Sequence, residues 1–84
     1  LFMVKVVFLN LLRSKYNIEQ LDVHAGTIQS ILDEIKKIHP ELDTKDFSES
    51  LVFINQVRLA HGNRFLHTVK DGDEVVFTHF LGGG

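Results

Sequence analysis

The 84-residue sequence contains no cysteine. That excludes a disulfide framework, a thiol nucleophile and a thiolate metal site, and it suits a reducing, cytoplasmic setting. Basic charge is not in surplus either. Nine Lys and Arg stand against eleven Asp and Glu, a net charge of −2 with neutral histidines. A dedicated nucleic-acid binder carries a basic excess, so no direct nucleic-acid partner is expected. No apolar run approaches the roughly 20 residues that span a bilayer, so no membrane partner is expected. The apolar stretch from Leu1 to Leu12 is broken by Lys5 and Asn10. It shows neither a basic leader nor a small-residue cleavage site, so it does not read as a signal peptide. Met3 is a candidate natural start.

A recognisable active site is also missing. His24, His39, His61, His67 and His79 show no HExxH or comparable ligand spacing, and they read as surface or edge histidines. Ser14, Ser30, Ser48 and Ser50 have no neighbour that suggests activation, and Gly62 beside His61 makes no phosphate loop. A chain this short, with one predicted helix, has little room for an enclosed pocket of several hundred Å³. No active site of its own is therefore expected.

What is present is the material of one small core. The chain is 44% apolar and 24% charged, with both signs represented. That composition folds rather than remaining disordered. Val4, Val6 and Phe8 alternate with polar or outward positions and predict a strand over 3–9. Residues 10–17 break the alternation and read as a connector. Ile18, Leu21 and Val23 predict a second strand over 18–23, antiparallel to the first. Thr27 is a candidate N-cap. Ile28, Ile31, Leu32, Ile35 and Ile38 follow at helical spacing, and Pro40 ends the run, predicting a helix over 27–38. Asp33 and Lys37, four apart on that helix, are placed for a weak exposed ion pair.

Residues 41–50 read as a polar loop. Short strands are predicted over 51–55 and 57–60, joined by a tight turn at Asn55-Gln56, since asparagine tolerates positive φ. Residues 61–69 read as irregular. Lys70-Asp71-Gly72-Asp73 is a turn signal, and a last strand is predicted over 74–80. One helix covers a sheet only once. The predicted architecture is α+β: a mixed four- to five-stranded sheet with one helix across one face, first and last strands paired at its centre.

Two features point toward function. Gly82-Gly83-Gly84 ends the sequence directly after an apolar strand. Three glycines contribute nothing to a core, but without β-carbons they can thread a narrow channel in a partner and present the terminal carboxylate there. The plain alternative is a disordered or vector-derived end. The second feature is the sheet face opposite the helix. If Val4, Val6 and Phe8 face the helix, then Val7, Leu9, Phe53, Val76 and Phe80 face away and form an apolar docking patch. Again a plain alternative exists, since central strands often carry apolar residues on both faces.

Val52-Phe53-Ile54-Asn55-Gln56, then Lys70-Asp71-Gly72-Asp73-Glu74-Val75-Val76-Phe77, then a terminal Gly-Gly resembles the ubiquitin-like sulfur-carrier family in order and spacing. That family comprises the small subunit of molybdopterin synthase (MoaD), the thiamine carrier ThiS, the eukaryotic ubiquitin-related modifier and the archaeal ubiquitin-like modifiers. The opening Val-Lys-Val-Val-Phe-Leu-Asn-Leu-Leu-Arg is similar to the MoaD start.

The resemblance implies a β-grasp (ubiquitin-like) domain over 1–81 and a flexible tail over 82–84. It implies that a partner adenylyltransferase, using ATP and magnesium, activates the Gly84 carboxylate for conversion to a thiocarboxylate. Gly83 then gives access, and Gly82 and Leu81 set the approach of the tail. No cofactor is bound by the chain itself. The implied acceptor is the large subunit of molybdopterin synthase or another sulfur-accepting enzyme. Where MoaD tails commonly carry Phe-Pro-Pro-Val, this sequence has Phe77-Thr78-His79-Phe80-Leu81, without proline. Thiamine or tRNA-thiolation sulfur carriage, ubiquitin-like protein modification and a non-covalent β-grasp interaction domain remain open alternatives.

Overall fold

The computed structural model describes residues 3–79. β1 (Met3–Phe8) is followed by α1 (Asn10–Tyr16), β2 (Gln20–His24), β3 (Gly26–Thr27), α2 (Ile28–Ile38), α3 (Thr44–Ser48), β4 (Leu51–Ile54), β5 (Val57–Arg58), a 3₁₀ turn (Arg64–Leu66), β6 (Thr68–Val69) and β7 (Glu74–Thr78). Five strands form a mixed sheet in the order β2-β1-β7-β4-β5, with β1 and β7 parallel at its centre. β3 and β6 pair separately as a short antiparallel ladder. This is the ubiquitin-like β-grasp architecture, with α2 packed on one face of the sheet.

Local chemistry accounts for the elements that were expected. The Thr27 hydroxyl accepts from the Ser30 amide at 3.1 Å and caps α2. Ile28, Ile31 and Ile35 are fully buried, Leu32 is half-buried, and Ile38 at the helix end is 50% exposed. Asp33 accepts from Gln29 at 3.0 Å, one turn back, rather than pairing with Lys37. Asn55 and Gln56 both take positive φ, 49° and 72°. That is the backbone of a hairpin turn whose twist matches its strands. Gly72, at φ 85°, closes the turn before β7, and the Asp73 amide donates back to the Lys70 carbonyl at 3.0 Å.

The two turns are bolted together. The Asn55 side chain donates to Asp73 at 2.9 Å and accepts from the Glu74 amide at 2.9 Å, while the Lys70 amide donates to the other Asp73 oxygen at 2.9 Å. The Asn55 bond first, and then the Lys70 amide, holds the Asp73 carboxyl below the ordinary carboxylate range.

Four expectations are corrected. Residues 10–17 are not a simple connector. They form α1, because Leu12 and Tyr16, four apart, both turn toward the core and Asn17 ends the helix in the left-handed conformation. Residues 41–50 contain α3. Asp43 caps it by accepting from the Lys45 amide at 2.9 Å. Leu42 before the cap and Phe47 in the first turn occupy the positions of a hydrophobic staple, and both are buried. Residues 61–69 contain the 3₁₀ turn and β6. β2 begins at Gln20, with Ile18 buried in the approach to it. Helix α2 is therefore the main helical layer, supplemented by two short helices. Phe47 on α3 closes an aromatic cluster with Phe8 and Phe77, at centroid distances of 5.4–6.1 Å.

Candidate functional site: the open sheet face and the base of the tail

β1 alternates throughout, and β7 does so as far as Phe77. Val4, Val6, Phe8, Val75 and Phe77 turn into the core, which sends Val7 and Val76 to the opposite face. The register places Val7 opposite Val76, and Val76 opposite Phe53. Three of the expected docking residues thus stand side by side across the three central strands. Gln20 and Arg58 extend this row at its two ends. All three apolar members are half-buried rather than fully exposed, since neighbours in a paired row cover one another.

Leu9 does not belong to the strand. It is the residue before α1, its amide donates to the Phe77 carbonyl at 3.1 Å, and its side chain is 38% exposed. It sits one residue past the end of β1, extended and exposed. Phe80, Leu81, Gly82, Gly83 and Gly84 lie outside the described residues.

β7 carries the chain toward those residues from the middle of the sheet. Its last residue, Thr78, is buried and accepts a 2.7 Å hydrogen bond from the Asn10 side-chain amide. His79 follows, half-buried, and shares a surface concavity with Ser14, Lys15 and Asp46. Asp46 Oδ2 accepts from Lys15 Nζ at 2.8 Å and from the Tyr16 hydroxyl at 2.5 Å, and the same hydroxyl accepts from the Asp43 amide at 3.0 Å. The Lys15 bond, then the Tyr16 bond, holds the Asp46 carboxyl below the ordinary range, and the nearby His79 adds to the effect. The Tyr16 phenol is pushed up by burial and by donating to Asp46. Sequence reasoning passed over this cluster, because α1 and the loop carrying Asp46 were not read as helices.

A second group was also missed. Arg64 is buried, at 3% exposure. Its guanidinium donates to the main-chain carbonyls of Phe47 and Ser48 at the end of α3, bonds to His61 and stacks on Phe65 at 4.8 Å. Burial pushes its pKa down. Fixed on main-chain carbonyls at a helix end, it anchors α3.

An apolar groove of about 380 Å³ runs between α2 and α3, with Leu32, Ile35, Leu42, Phe47 and Phe65 in its walls. It contains no histidine and no nucleophile–base pair. Among the described residues, no group of three or more His, Asp or Glu side chains is placed to hold a metal ion, and no helix is long and apolar enough to cross a membrane.

No protein-family model matches the chain, and no curated protein matches it by sequence. Solved structures do match. Small archaeal modifier protein 1 (SAMP1) from Methanosarcina acetivorans superposes with a TM-score of 0.80 at 20% identity, over 99% of this chain and 97% of that one. Urm1 from Trypanosoma brucei gives 0.71 at 15% identity, over 98% and 95%. A chain from the complex of subunits 1 and 2 of the molybdopterin-converting factor from Helicobacter pylori gives 0.63 at 19% identity, over 98% and 99%. The likeness spans essentially whole chains and establishes the fold as ubiquitin-like β-grasp.

Proposed function

We propose that this chain is a ubiquitin-like sulfur carrier whose working group is the carboxylate of Gly84. The observation that carries the proposal is the junction of β7 and the tail: a central strand, pinned at Thr78, leads through His79 toward Gly82-Gly83-Gly84. The neighbours' names, a small archaeal modifier, a Urm1 and a molybdopterin-converting factor subunit, agree with the resemblance in the sequence motifs.

A carboxylate is a poor acyl electrophile. On this reading a partner adenylyltransferase binds ATP and magnesium, a Gly84 oxygen attacks the α-phosphorus, and pyrophosphate leaves. A sulfide-level donor then attacks the acyl carbon of the adenylate. AMP leaves, a proton is released and the thiocarboxylate remains. The carrier supplies no catalytic side chain; it supplies a reachable end and a docking face of Val7, Val76 and Phe53. We assign the cytoplasm as its setting and molybdopterin synthesis as its pathway, with the large synthase subunit as acceptor. The solved two-subunit converting factor supports that assignment.

The test is intact mass after incubation with the cognate activating enzyme, ATP and a sulfur donor. One sulfur-for-oxygen exchange is expected, and it disappears when Gly83 and Gly84 are deleted. An unchanged mass with a verified cognate enzyme refutes the reading. The small archaeal modifier protein favours a second use of the same acyl group, transfer to lysine amines. Its signature is Gly84-dependent laddering in extracts.

A further inference from the structure

We propose that the outer edge of β2 is a strand-addition site for an extended, basic and aliphatic segment of a partner protein. The inference is independent of the carrier reading. It uses neither the tail nor the row Val7, Val76 and Phe53.

The register of the β1–β2 ladder fixes which backbone groups of β2 stay free. The Phe8 amide donates to the Glu19 carbonyl at 3.0 Å, so these two residues are a hydrogen-bonded pair. In an antiparallel ladder such pairs alternate with non-bonded ones. Leu21 and Val23, opposite Val6 and Val4, therefore bond to β1, while Gln20, Asp22 and His24 turn their amides and carbonyls outward. β2 is the last strand on that side of the sheet, so no further strand meets them. The His24 amide bears out the parity: it points off the sheet and donates to Glu34 of α2 at 3.1 Å. Among the described residues no group bonds the amide or carbonyl of Gln20 or Asp22, and both residues are exposed. The edge thus offers two donors and two acceptors in the spacing a further strand requires. The opposite edge offers less. β5 has two residues, and since the Leu59 amide bonds the Val52 carbonyl, only Arg58 of the two turns outward.

The chemistry beside β2 selects the occupant. Asp22 stands on the open side and has no ion-pair partner among the described residues, since Lys5 across from it pairs with Glu74. Glu34 adds a second carboxylate at the His24 end. On the helix side Leu21 is half-buried, and Ile38, one turn along α2 from Glu34, is 50% exposed. Successive residues of an added strand face opposite sides. Charge complementarity therefore calls for lysine or arginine on its open side, and aliphatic residues on its helix side. β1 already makes this match from within the sheet: its Val4-Lys5-Val6 lies against Val23-Asp22-Leu21.

The probe is the peptide acetyl-Val-Lys-Val-Lys-Val-amide, titrated into the full chain and followed by amide hydrogen exchange. In the free chain Leu21 and Val23 are expected to be protected, and Gln20 and Asp22 to exchange rapidly. Millimolar peptide is expected to slow exchange at Gln20 and Asp22 and to leave Arg58 unchanged. Asp22→Lys should weaken binding about tenfold, because a favourable exposed pair is lost and a repulsion gained. The same variant should bind acetyl-Val-Glu-Val-Glu-Val-amide, which the wild type should not. Gln20→Pro removes an outward donor and no ladder bond, so it should abolish binding with the circular dichroism of the fold retained.

Unchanged exchange at Gln20 and Asp22, protection at Arg58 in their place, or undiminished affinity of Asp22→Lys for the lysine peptide overturns the proposal. None of these outcomes depends on the sulfur-for-oxygen exchange at Gly84, so the two proposals stand or fall separately.

Discussion

Replacing Asn55 by Ala is the most informative perturbation of the fold. The substitution removes two side-chain hydrogen bonds, one to Asp73 and one from the Glu74 amide, both 2.9 Å long. It also forces a residue with a β-carbon, but without asparagine's local hydrogen bonding, to hold φ 49°. Exposed hydrogen bonds of this kind contribute about 0.5 kcal/mol each. Holding a residue in the left-handed region costs roughly 1 kcal/mol more. The sum is about 2 kcal/mol, and for a domain of this size that lowers Tm by roughly 8–16 °C.

Asn55→Gly separates the two contributions. Glycine accepts the backbone angle freely but makes neither bond, so its loss should be about half as large. Thermal unfolding followed by circular dichroism measures both variants. Equal losses for Ala and Gly refute the backbone part of the reasoning. A loss in Gly indistinguishable from zero refutes the hydrogen-bond part.

Acid should act through Asp46 and Asp73, whose folded-state pKa values both lie below the ordinary 3.8. The stability they contribute is complete above the unfolded-state value and is lost as pH falls through the lower folded-state values; Asp46→Asn/Asp73→Asn should therefore show a flatter denaturant midpoint below pH 3.8 than the wild type. Phe77→Ala opens a cavity where Phe8 and Phe47 meet a fully buried ring, and a loss of about 3–5 kcal/mol in denaturant unfolding is expected. That is a large part of the stability of a small domain. Phe53→Ser lies on the open face, half-buried; it should weaken binding to the cognate adenylyltransferase by about tenfold or more, as for a central apolar interface residue, with Tm falling far less than in Phe77→Ala. Calorimetric titration measures the first quantity, and unchanged affinity removes the open face from the docking surface.

Much of the architecture was legible in the residues, and the reason is local. The stripe Ile28, Ile31, Ile35 and the Thr27 cap specify α2 within one window of sequence. Asn55-Gln56 and Lys70–Asp73 announce their turns because few other residues adopt those backbone angles. The alternation of β1, β4 and β7 separates the core face from the open face, and so predicted Val7, Val76 and Phe53 as companions. Leu9 lies one residue past the end of β1, extended and exposed, and nothing in the pattern marks the change into α1 that follows it. α1 and α3 escaped because helices of seven and five residues show too few turns for a period to stand out. Their signals were a cap, a staple and an i, i+4 pair.

By itself, then, the sequence determined each segment's preference, the face each strand buries and the glycines at its end. Those properties depend on neighbours a few residues away. Only the tertiary structure decided that Val7, Val76 and Phe53 form one row, that Asp73 answers Asn55 across 18 positions, that Arg64 ends on the carbonyls of α3, and that Lys15 and Tyr16 of α1 both meet Asp46 of α3. Each requires two distant parts of the chain to be brought within a few ångströms. That happens when β1 and β7 pair in parallel at the centre of the sheet and carry everything attached to them into place.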